Sequence, residues 1–397
     1  MQGIKSRPAL TSFSFLSMFF LGVGTAVLGA ASRNIGLSPF QIGLLISVQN
    51  LGFILSVAAA GALADSVQKP VILAAGSLIL AAAFFFFYYR SSYALNLLIM
   101  FFIGVGIGTY EGAADAMLLD LYDRRQGLFI TVNHFFVTFG SLMISLYLIF
   151  LQMNWRGSMI QSAAAVGVLS VLFFFSRTVK QAGPAQADRA FSGQAGGGSG
   201  AVAQRIAAVF RKKGAVTLFL GAVGAVSLEI GTLGLLTTYL MDLRGFGQVT
   251  SKIVLIVYLI GVACGRLLLG SLLKKEKLPA AVTVLFGCGA ALTALLYFVP
   301  AVSWFYYAAA FCLGMSVSVL LPSIITLTGL SYPEEAGTAM GLIKIGIPIG
   351  SILFPFLLSM ISRYAGFRVS FLLFPAVSLG CFLIFLLNAG SIRTKIS

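Results

Sequence analysis

The sequence predicts an all-α membrane protein of twelve transmembrane helices in two pseudo-symmetric six-helix halves. Three observations carry this. Apolar residues make up 59% of the chain and charged ones only 9%. The apolar residues gather into twelve long runs, and short motifs recur at one offset between the two halves. A soluble domain devotes roughly a quarter of its residues to charge so that water can wet its surface. With so few charges and a mean hydropathy of +1.01, most of this surface needs a non-aqueous neighbour, and the lipid bilayer is that partner.

The 397 residues suit twelve spans of about 20 residues with short connections. Runs bounded by Gly, Pro or charge place spans near 11–32, 40–64, 70–89, 94–119, 128–152 and 157–176, then near 215–240, 250–273, 279–299, 304–329, 337–361 and 369–389. Only helices and closed barrels satisfy the backbone in hydrocarbon, and continuous apolar runs lack the alternation of a barrel. The first run follows Lys5 and Arg7 and ends in Gly29-Ala30-Ala31-Ser32, which also fits a cleaved signal peptide. Its length and the even helix count favour a retained first helix.

Seventeen of the 26 Lys and Arg fall on one side of this topology, seven on the other, and Arg266 and Lys344 within spans. Basic loops stay in the cytoplasm, so both termini are expected there, in a multi-pass protein of the cell (plasma or inner) membrane. The net charge of +15 reflects those loops facing an anionic leaflet. Scattered as it is among apolar runs, it gives no nucleic-acid partner. Cys264, Cys288, Cys312 and Cys381 lie in apolar runs without ligand spacing and read as small buried hydrophobes. With one histidine in the chain, no metal site, cofactor or enzymatic constellation is expected.

A hydrophilic stretch at 177–214 separates an N-terminal half, 1–176, from a C-terminal half, 215–397. Its middle, Gln181 to Gly200, reads as flexible linker rich in Gly, Ala and Gln. Near its end Val202, Ile206, Val209 and Phe210 share one helical face amid Arg205, Arg211, Lys212 and Lys213, as in a short amphipathic helix on the inner leaflet. Gly61 to Asp65 closes span 2 and Gly270 to Lys274 closes span 8, an offset of 209; Tyr122 to Gly127 and Tyr332 to Gly337 follow spans 4 and 10 at an offset of 210. Matching offsets from different loops imply a duplicated six-helix unit, the kind of pair that rocks about a midplane site to give alternating access.

A carboxylate deep in a span is costly and marks a functional site by default. Span 4 carries two, Glu111 and Asp115, four residues apart and so on one face. Desolvation and like charge favour the protonated form of such a pair, which is what proton coupling needs. Gln49 and Asn50 in span 2, Asn133 and His134 in span 5, Glu229 in span 7 and Lys344 in span 11 add polar groups suited to a hydrogen-bonding ligand.

The loop Gly61-Ala62-Leu63-Ala64-Asp65-Ser66-Val67-Gln68-Lys69-Pro70 resembles the signature loop of the major facilitator superfamily. Gly61, Leu63, Ala64, Asp65 and Lys69 match, while Ser66, Gln68 and Pro70 stand where the family has Arg, Gly and a basic residue. Gly265-Arg266 before Gly270 resembles the Gly-Arg-x-x-x-Gly of the second half. The resemblance implies the major facilitator fold, with Asp65, Lys69, Asp120 and Arg266 in gating contacts between the halves. Gly104 through Asp115 is similar to the span 4 pattern of the fucose–galactose–glucose:proton symporters, with Asp115 in place of Asn. Glu229, Gln49 and the stretch Gly314 to Ile324 also resemble that branch. Fucose carriers rely on an Asp in the first helix, and none stands there here.

This resemblance implies a proton-coupled symporter of a sugar or similar small polar solute, acting as a monomer. Glu111 and Asp115 would be the proton sites, and Gln49, Asn50, Asn133, His134, Glu229 and Lys344 the solute contacts. The alternative is a proton-driven exporter of amphipathic compounds. Phe139-Gly140-Ser141 in span 5 lacks the proline of the drug-antiporter pattern, which counts against it.

Overall fold

A computed structural model describes residues 4–64, 66–122, 124–178, 214–269, 272–273, 275–332 and 336–393. The linker with its expected amphipathic helix, and Asp65, lie outside these. Among the described residues twelve helices are long and apolar enough to cross a membrane, each within a few residues of its expected place. They are α1 (Arg7–Ile35), α2 (Pro39–Leu63), α3 (Lys69–Phe86), α4 (Tyr93–Leu121), α5 (Gln126–Phe150), α6 (Trp155–Phe174), α7 (Ala215–Arg244), α8 (Gln248–Leu269), α9 (Leu278–Phe298), α10 (Ser303–Ser331), α11 (Ala336–Ala365) and α12 (Phe367–Asn388).

Local chemistry sets the ends. Gly36 in the left-handed region (φ 85°) stops α1. Ser38 then opens α2 with a capping box, its hydroxyl accepting from Gln41 N at 3.3 Å while Gln41 Oε1 accepts from Ser38 N at 2.9 Å. Arg156, at the start of α6, donates to the Phe85 and Phe87 carbonyls at 2.6 Å each and so satisfies the end of α3.

The chain forms two compact units. The first holds α1 to α6 together with residues Gly234–Ile256, the hairpin tips of α7 and α8. In it α2 and α4 run almost in backbone contact. A Cβ on Gly104 would sit 2.0 Å from the Gln49 carbonyl oxygen and 2.8 Å from Phe53 N. Helices in lipid gain stability from such close packing of small residues. Gly104→Ala must push α2 and α4 apart, at a cost of about 1–3 kcal/mol. The expected result is a lower thermal unfolding midpoint in detergent.

In the second unit α8 ends in a π turn over Gly265–Leu269. The α10 helix breaks at Val319, between segments Ser303–Ser318 and Leu320–Ser331. The break has a sequence cause: Pro322 has no N–H to give the Ser318 carbonyl four residues earlier, and its ring crowds that oxygen. Pro348 and Pro355 lie inside α11; each lacks the N–H that would bond the carbonyl four residues earlier, an interruption that membrane helices tolerate.

The cysteines depart from expectation. Cys381 is buried, but Cys288 and Cys312 are exposed and Cys264 is intermediate. In a bilayer the outer face of a helix is as apolar as its inner face, so an apolar run does not imply burial within protein.

Candidate functional site

Asp115 of α4 meets α5 within the first unit, and α1 reaches the same part of α5. Gly22 of α1 lets α5 approach until a Cβ there would lie 2.0 Å from the Val137 carbonyl oxygen. That closeness lets α1 side chains reach α5 polar groups. Asn133 Nδ2 donates to Asp115 Oδ1 at 2.8 Å, and Ser14 Oγ donates to Asn133 Oδ1 at 3.1 Å. His134 Nε2 lies 2.9 Å from Asp115 Oδ2, so both carboxylate oxygens are engaged. Asn133 is fully buried, whereas the His134 and Asp115 side chains are 41% and 26% exposed. Asn133 holds the geometry of the pair from the buried side. Glu111 stands half-buried one turn earlier on the same helix face. At the end of α4, Tyr122 stacks on Phe129 with ring centroids 3.8 Å apart and shares a 3.0 Å hydrogen bond with Thr11.

Other expected contacts divide. Gln49 is buried and its amide donates to the Gly24 carbonyl at 2.7 Å, tying α2 to α1. Asn50 Nδ2 turns back to the Ile46 carbonyl at 2.9 Å. Lys69 and Asp120 pair with each other at 2.7 Å, joining the start of α3 to the end of α4 inside the first unit. In the second unit Arg266 Nη2 donates to Glu229 Oε1 at 2.8 Å, with side chains 39% and 24% exposed. Sequence reasoning gave those two residues separate tasks. Lys344 is half-buried in α11.

One cluster went unnoticed in the sequence. In the first unit the tips of α7 and α8 are tied to the end of α1. Arg33 pairs with Asp242 at 2.9 Å, Ser32 and Thr238 share a 3.1 Å hydrogen bond, and the Thr237 hydroxyl donates to the Gly29 carbonyl. Lys252, only 1% exposed, donates to Asn34 Oδ1 at 3.0 Å, and Asn34 Nδ2 donates to Gln248 Oε1 at 2.6 Å. In the sequence Lys252 stands just ahead of the apolar run that begins at Ile253, where a cation reads as a loop charge.

Twelve membrane-length helices with ionisable groups half-buried in their spans define a multi-pass membrane transporter. The model of the family described as Major Facilitator Superfamily matches residues 10–303 and again 277–394, and the chain belongs to that superfamily. Solved structures share the fold at low identity. The nucleoside transporter NupG is 15% identical, with TM-score 0.73 over 96% of this chain and 98% of its own. A bacterial homologue of the human lysosomal transporter Spinster, inward-facing and occupied, is 15% identical, with TM-score 0.71 over 97% and 96%. A D-xylose–proton symporter is 13% identical, with TM-score 0.71 over 96% and 97%. Comparison with curated proteins gave no match.

Proposed function

We propose that this transporter takes up a sugar or similarly small polar solute together with protons, by alternating access in the cell membrane, as a monomer with both termini cytoplasmic. The observation that carries the reading is Asp115 held by Asn133 and His134 at 2.8 and 2.9 Å. A proton gained by such a carboxylate–imidazole pair changes the charge that its neighbours feel. Glu111, one turn away, is the second acid on that face. Asn50, Asn133 and His134 in the first unit offer the solute hydrogen bonds. Gln49 has its amide engaged by α1 and acts as a tie. A proton symporter and a nucleoside carrier among the structural neighbours agree with a polar cargo.

The test is solute uptake into proteoliposomes under an imposed pH gradient. Wild type should accumulate solute when the outside is acidic and stop when an ionophore collapses the gradient. Glu111→Gln should lower the coupled rate. If uptake ignores the gradient altogether, the proton-coupled reading fails.

A further inference from the structure

The second unit contains an arrangement whose purpose sugar uptake leaves open. Arg266 rises from the π turn that ends α8 and reaches Glu229 of α7 at 2.8 Å. π turns interrupt a helix where it carries function more often than chance allows. Gly265 makes the turn possible here. A Cβ on it would sit 2.5 Å from the Met315 carbonyl oxygen and 2.3 Å from Ser318 Oγ, at the point where α10 is broken. Beside the pair lie Tyr258 and Thr232, both buried; their hydroxyls face each other, with no hydrogen bond of good geometry between them or to another described residue. Buried polar groups so weakly paired have capacity left for a further partner. On the other side of Glu229, Gly231 lets Phe354 and Phe374 close in as an apolar wall.

We propose that Arg266 binds the negative charge of a small organic anion, carboxylate or phosphate, and that Glu229 is the internal anion it exchanges for. Arginine offers a planar fork matched to either group. When the solute takes the guanidinium, Glu229 leaves it and takes up a proton from water, so one anion and one proton enter together. Tyr258 and Thr232 then supply hydroxyl donors to the anion's remaining oxygens. Few other charges face Glu229 among the described residues. Tyr258 of α8 is its titratable neighbour, and Tyr297 of α9 lies next to Tyr258. The α10 span has no charged residue, and neither does 371–388 of α12. On α11, Lys344 sits near the level of Gly346, which packs against Phe219 and Ala222, about two turns from Glu229.

This inference rests on the coupled-uptake reading and narrows its cargo. The test is a thermal-shift titration of the purified full-length protein with glucuronate, lactate and glucose 6-phosphate, against neutral glucose, followed by uptake in proteoliposomes. At least one acid should stabilise wild type and glucose should not; the sugar acids and the phosphate ester separate a carboxylate from a phosphate site. Arg266→Gln should weaken anion binding roughly tenfold to a hundredfold, the usual worth of a charged hydrogen bond. Glu229→Gln should bind anions at least as tightly as wild type, with affinity no longer rising as pH falls. Tyr258→Phe, which keeps the packing, should lower affinity severalfold and guards against a merely misfolded arginine variant. If none of the acids shifts the protein, or if Arg266→Gln and Tyr258→Phe bind them like wild type, the anion site is overturned. Gradient-driven glucose uptake, equal in wild type and Arg266→Gln, would overturn it too while leaving proton coupling intact.

Discussion

Asp115→Asn should abolish proton-driven accumulation and leave solute exchange running. The replacement keeps the size of the side chain and one oxygen for Asn133 Nδ2, which now approaches Asp115 Oδ1 at 2.8 Å. The new amide nitrogen can donate to a neutral His134 in place of the 2.9 Å contact with Oδ2. The fold and the α4–α5 seam therefore survive, and only the ionisable group is gone. One pH unit stores about 1.4 kcal/mol per proton, enough for roughly tenfold accumulation by a one-proton carrier. The variant should drop from near that ratio to about one, with counterflow exchange at close to the wild-type rate. Accumulation undiminished in Asp115→Asn would move the coupling step elsewhere. His134→Gln keeps a hydrogen-bonding partner without the titration, so it should mainly flatten the pH profile.

Joining Ser32→Cys to Thr238→Cys by oxidation should arrest transport almost completely, with recovery on reduction. The two hydroxyl oxygens are 3.1 Å apart and both side chains are buried, which puts their Cβ atoms near the separation a disulfide tolerates. Should the transport cycle part the α7 tip from α1, a covalent link forbids it. Cys288 and Cys312 are exposed, so the pair belongs in a background with those two replaced by Ser. Each single variant should transport with or without oxidant, and a cross-linked double variant at full rate would rule out movement at this junction. Arg33→Ala should act in the opposite sense and milder, since the Arg33–Asp242 pair at 2.9 Å is partly exposed at 38% and 20% and such pairs contribute only up to about 1 kcal/mol.

Helix number, helix limits and superfamily were legible in the sequence because hydrocarbon permits few solutions. A run such as 94–119 has no other stable form, and the structure extends it only to Tyr93–Leu121. The acids of α4 were legible for the same reason: Glu111 and Asp115 are conspicuous where charge is expensive. Partnership was not legible. Asp115 and His134 are 19 residues apart and Glu229 and Arg266 are 37 apart, and nothing in one chain's spacing says which helices will be neighbours. Arg266 was absorbed into a motif and Glu229 into a solute site, although they meet at 2.8 Å. Lys252, just ahead of an apolar run, has the sequence signature of a loop charge, whereas its Nζ is held by Asn34. The α10 break could have been read from Pro322 and the carbonyl four residues before it; the π turn after Cys264 has no comparable signature.

The glycine seam between α2 and α4 has a mechanical meaning. With the Gln49 carbonyl oxygen 2.0 Å from where a Cβ of Gly104 would stand, the two helices have no slack along this line. The α1–α5 seam is as tight, with the Val137 carbonyl oxygen 2.0 Å from where a Cβ of Gly22 would stand. Between the two seams Asp115 of α4, Asn133 of α5 and Ser14 of α1 form one hydrogen-bonded chain, so the two closely packed helix pairs are joined side chain to side chain.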